Sequence, residues 1–106
     1  MSANNSQRAV AAPELKATMT GSTVKIGSFI APPVHVIFDN LSTVTVTIYI
    51  NDVQWKTFAA GSALVLDMRA NHGIAPNYAF NTGDTISGNG ASGDFSVAYT
   101  YAKEVG

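Results

Sequence analysis

Few side chains in this sequence are suited to acid–base, nucleophilic or metal chemistry. There are two histidines, seven carboxylates and no cysteine, which removes disulfides and thiolate metal sites. His35 lies between Val34 and Val36 in an alternating stretch, so its imidazole points opposite to both valines and reads as a surface or strand-edge group. His72 sits in Asn71-His72-Gly73, a loop sequence. Neither a His-x-His pair nor a His-Glu-x-x-His helix is present, so the spacing offers no zinc site. No serine stands in a Gly-x-Ser-x-Gly turn that would expose a nucleophile.

Glu14 and Glu104 lie toward the two ends, which leaves any paired-carboxylate chemistry to aspartates. Asp39, Asp52, Asp84 and Asp94 each adjoin Gly, Asn or a strand end, where Asp commonly bonds its own backbone in turns. The segment from Gly88 to Asp94 has the composition of a glycine-rich calcium repeat. It occurs once, whereas such repeats share ions between successive turns. A calcium held by Asp84 and Asp94 is the arrangement this segment would allow. No helix follows the glycines, so no phosphate cradle is implied. The expectation is a non-enzymatic protein with no catalytic residue, no metal and no cofactor.

Trp55, Tyr49, Tyr78, Tyr99 and Tyr101 are the rings available to stack on sugars. A carbohydrate- or receptor-binding module would use them with the loops at 69–77 and 83–94. However, Tyr99 and Tyr101 share phase with Phe95 and Val97, and Trp55 shares phase with Val53. That phase assigns these rings to a core or an interface.

Charged residues make up 12% of the 106-residue chain, with a formal net charge of −1. Arg8, Lys16, Lys25, Lys56, Arg69 and Lys103 are scattered and cannot follow a phosphate backbone, so no nucleic-acid partner is expected. A surface rich in Ser, Thr and Asn relies little on charge repulsion, which suits packing against other subunits. No run approaches the ~20 apolar residues of a membrane span. The opening Met-Ser-Ala-Asn-Asn-Ser-Gln-Arg lacks the apolar stretch of a signal peptide, so synthesis in a cytoplasm and no membrane partner are expected.

The clearest element is Thr43 to Ile50. Val44, Val46, Ile48 and Ile50 alternate with Thr43, Thr45, Thr47 and Tyr49, a strand with one buried face. Asn51-Asp52 supplies two residues that tolerate φ > 0, as a two-residue hairpin requires, and Val53 to Phe58 return. Val24–Ile30, Val34–Phe38, Ala63–Met68, Tyr78–Phe80, Thr85–Ser87 and Phe95–Tyr101 are further strands between turn-rich segments. The expected core is Val46, Ile48, Trp55, Leu64, Leu66, Phe95, Val97 and Tyr99. Residues 1–22 show no sustained period and read as an N-terminal arm, either a loose tail or a segment that orders against a neighbouring molecule. Residues 23–106 read as one all-β domain, an antiparallel β-sandwich of jelly-roll type, with an open barrel as the alternative.

The 23–104 stretch resembles small virion proteins of tailed bacteriophages. The resemblance rests on the Thr/Val hairpin 43–58, on Ala60-Gly-Ser-Ala-Leu-Val-Leu-Asp67, and on Gly83-Asp-Thr-Ile-Ser87 with Phe95-Ser-Val-Ala-Tyr-Thr-Tyr101. It implies a structural role in a virion, most plainly a capsid decoration (cement) protein, with small tail or connector proteins as variants. Such a protein would form a homo-oligomer, with a trimer favoured, and would use its N-terminal arm to clamp neighbouring major capsid subunits or another virion protein. It carries over no site residues, because such families are defined by fold and assembly.

Overall fold

In a computed structural model, residues 7–68 and 80–104 are described. They form nine strands: β1 Gln7–Ala11, β2 Leu15–Thr18, β3 Val24–Ser28, β4 Pro33–Asn40, β5 Val46–Ile50, β6 Val53–Phe58, β7 Ala63–Asp67, β8 Thr85–Asn89 and β9 Asp94–Glu104. All pairings are antiparallel and make two sheets packed face to face. In the five-stranded sheet, β9 has β1 and β2 along one side and β4 then β7 on the other; the four-stranded sheet runs β3-β8-β5-β6. The chain is therefore an all-β sandwich.

The hairpin forms as its sequence predicts. Asn51 and Asp52 take φ of 51° and 66°, the mirror-image turn whose twist matches the flanking strands. The return strand then departs from simple alternation. Ile48 pairs with Lys56 but Tyr49 pairs with Gln54, so Trp55 is an extra residue, a bulge. The bulge turns the indole inward, 4.9 Å from Phe38 and 5.6 Å from Phe80 between ring centroids. Val53, which shares sequence phase with Trp55, stays 67% exposed.

Side chains alternating inward from both sheets build the core. Val36, Phe38, Leu66, Phe95, Val97 and Tyr99 from one sheet meet Ile26, Val46, Ile48, Phe58 and Ile86 from the other, all buried. Six of the eight residues expected in the core are among them, while Trp55 and Leu64 are partly buried against the cluster. The strand expected from Thr43 begins only at Val46, because side chains of the preceding loop take over the main-chain hydrogen bonding. Phe80 packs into the core outside any strand, and Tyr78 lies outside the described residues.

Residues 7–18, read from the sequence as part of an arm, are two strands hydrogen-bonded to β9. Between Ala11↔Thr100 and Leu15↔Val97 the chain advances four positions while β9 advances three. Pro13, which has no N–H to give to a ladder, sits in this bulge at the sheet edge. The extra residue inverts the phase midway, so Val10 and Ala12 and then Leu15 and Ala17 are the half-buried positions. That inversion is why no period of two is visible across the segment.

Two outcomes test this arrangement. Ile48 is fully buried, and Ile48→Ala should cost about 2–5 kcal/mol in urea unfolding; an unchanged midpoint would mean the strand faces outward. Deleting residues 1–20 removes β1, β2 and the buried Met19 together. Loss of the cooperative thermal transition is expected, and a retained transition would mean that β9 does not need these partners.

Candidate functional site

The outward positions of the five-stranded sheet form a small grid. On β9, β4 and β7 the register lines up Ser96–Asp39–Ala63, Ala98–Ile37–Val65 and Thr100–His35–Asp67 in three successive rows. The middle row is apolar on all three strands, with Ile37 42% and Val65 63% exposed. Beside it, Ala11, Ala12, His35, Ile37, Ala98 and Thr100 border an open hollow of about 200 Å³. Ligand pockets are usually about 300–1,000 Å³ and enclose most of their occupant. This hollow, walled largely by methyl groups, suits contact with another surface better than capture of a small molecule.

The third row brings an acid, an imidazole and a hydroxyl into register. His35 Nε2 lies 3.3 Å from Asp67 Oδ2, with both side chains about 40% exposed, so the contact is a surface pair of small energetic weight. Nucleophilic catalysis would need the hydroxyl in hydrogen-bond contact with the base. The Thr100 hydroxyl is buried and has no hydrogen-bond partner among the described residues, the imidazole included. The row therefore lacks a nucleophile–base contact. His35 stands on the outer face of β4, the sheet's second strand from its β7 edge.

The aspartates do turn and edge work. Asp84 accepts from the Asn51 side-chain amide at 2.9 Å and from the Asn81 N–H at 2.8 Å, which ties the hairpin turn to the entry of β8. Asp94 accepts from the Thr18 hydroxyl at 2.6 Å and stands 3.8 Å from Lys16 Nζ. The two carboxylates flank opposite ends of β8, so the structure does not bring them together as a calcium site. Among the described residues no three His, Asp or Glu side chains converge as metal ligands. Asp52 occupies the hairpin turn, and His72 and the 69–77 loop lie outside the described residues.

Among the described residues, the rings considered for sugar stacking are not assembled either. Tyr99 is buried, accepts a hydrogen bond from the Ile30 N–H at 2.9 Å, and meets Phe29 edge-on at 4.8 Å. Trp55 packs on Phe38, Phe58 and Phe80. Tyr49 belongs to the four-stranded sheet and Tyr101 to the other, both half-buried.

Sequence reasoning missed the apolar outer row. Its signal was present: Val36-Ile37-Phe38 and Leu64-Val65-Leu66 are apolar in both phases, as in strands covered on both faces.

The most demanding polar site is structural. Asn40 is fully buried; its amide donates to the carbonyls of Val44, Phe58 and Ala59 at 2.9, 3.2 and 3.0 Å, and its oxygen accepts from the Ser42 N–H and hydroxyl. Gly93 passes so close to Ser42 that a Cβ there would collide with it, and its φ is +85°. Asn40→Ala leaves buried carbonyls without donors and should cost about 2–4 kcal/mol, more than one ordinary hydrogen bond. Chemical denaturation checks this, and a loss below about 0.5 kcal/mol, the size of an ordinary surface change, would mean water replaces the amide.

Compared with known proteins, the chain matches no family model, and no curated protein or solved structure matches it.

Proposed function

We propose that this chain is a non-enzymatic structural protein of a virion, a capsid decoration protein that associates with its own copies and with major capsid subunits. The strand order carries this reading. The sequence β2-β9-β4-β7 in one sheet facing β3-β8-β5-β6 in the other supports a jelly roll of eight strands, with β1 added along β9. Jelly rolls of this kind recur in viral capsid and lectin domains. Between those two uses, the outer apolar row of Ala98, Ile37 and Val65 favours protein contact, while the inward placement of Trp55 and Tyr99 takes two rings away from a sugar platform.

In this reading attachment runs through the sheet surface and its edges. A clamp made by a 22-residue arm is less suited to the chain, because residues 7–11 and 15–18 are already strands paired with β9. The first six residues lie outside those described.

The test is quantitative mass spectrometry on purified particles of the virus that encodes the chain, with a glycan array in parallel. The chain should be found in fixed proportion to the major capsid protein and should bind no glycan. Its absence from particles would overturn the reading, and glycan binding in that case would place the lectin-like alternative first.

A further inference from the structure

Strand β9 outruns its sheet. Its last partner on β4 is Pro33, opposite Tyr101, whereas β1 follows it to Glu104. Residues 7–9 and 102–104 therefore form a two-stranded ribbon that no third strand supports among the described residues. Such ribbons are marginal on their own in water, so charges set across the pair weigh on whether it forms.

In this ribbon Arg8 stands directly opposite Lys103. Directly opposed residues of an antiparallel pair have Cβ atoms about 5 Å apart, and like charges there work against pairing. Both side chains are exposed. The two ion pairs among the described residues, Lys16–Asp94 and His35–Asp67, involve neither of them. Arg8 shares phase with Val10, and Lys103 with Tyr101 and Tyr99. The two cations thus continue the sheet's inward face one step beyond the half-buried pair Val10–Tyr101. The intervening pair, Ala9–Ala102, is turned to the other face and is uncharged. A glutamate at either position would turn repulsion into attraction. The chain instead holds two positive charges side by side where its sheet is only two strands wide.

We propose that the Arg8–Lys103 pair is a docking point for an acidic segment of another protein, which brings the counter-charges that no described residue provides. The Arg8 guanidinium offers a planar fork that takes a carboxylate through two parallel N–H···O bonds, and Lys103 adds a point charge beside it. On an extended segment, side chains of one face recur about every 6.7 Å, so acids at alternate positions reach both cations together. A nucleic acid fits less well, because a phosphate backbone is followed by a run of cations. Here the run stops at two: Lys16 is beside Asp94 on β2, and Lys25 and Lys56 belong to the other sheet. The inference does not rest on the virion reading, since any acidic neighbour would serve.

Nuclear magnetic resonance titration of the full chain with a hexaglutamate peptide tests it. The peptide should shift the amides of Arg8 and Lys103 saturably, with an affinity that falls as salt is added. Arg8→Glu sets opposite charges across the ribbon, so it should raise the urea midpoint while weakening the peptide about three- to tenfold. Lys103→Glu should do the same from the other strand, and serves if the first variant does not fold. Lys25→Glu makes the same change in net charge on the other sheet and should leave the affinity unchanged. Absence of a saturable shift at the ribbon would overturn the proposal. So would an affinity retained in both ribbon variants, a urea midpoint lowered by both, or tighter binding of an oligothymidylate of the same charge.

Discussion

The architecture hangs on β9. It is the longest strand, and its main chain is hydrogen-bonded along both sides, to β1 and β2 on one and to β4 on the other. Its alternate side chains Phe95, Val97 and Tyr99 fill the core against the second sheet. Register and burial are locked together in such a strand, because a slip by one residue would carry every large apolar side chain to the outer face. The strands around β9 inherit their facing from it. Tyr99 extends the same control to a loop, since its hydroxyl holds the Ile30 N–H.

Much of this was legible in the residues. Alternation in 44–50 and 95–101 marks the two strands that dominate their sheets, and Asn51-Asp52 marks the turn between β5 and β6. Two of the departures share one physical origin, the β-bulge. A bulge at Trp55 separates that ring from Val53, and another at Pro13 splits β1 and β2 into opposite phases. Each inserts a residue that periodicity reads as noise. Of the candidate site, the sequence indicated correctly that His35 is a surface group of a strand. It could not show that Ile37, Val65 and Ala98 fall in one row, because that depends on pairing between strands distant along the chain.

The polar residues divide by location. Those inside, above all Asn40 with Ser42, replace strand hydrogen bonding where the chain leaves β4, and hold two loops to one another. Those outside carry little charge, and the five-stranded sheet exposes a methyl-rich strip where alternation would ordinarily place polar groups.

The pairing of Gln7 with Glu104 brings together residues from nearly opposite ends of the sequence. During synthesis, therefore, β1 and β2 have no strand to dock on until β9 has emerged, and β4 lacks its main partner for the same interval. Loops this long must close before their contacts give any return, which makes such topologies slow to form. The four-stranded sheet is no exception, since β8 joins β3 to β5 late. Only the β5–β6 hairpin can assemble early from neighbours. The nascent chain should thus remain largely unfolded for most of its translation, dependent on cellular chaperones or on rapid closure once the last strand is free.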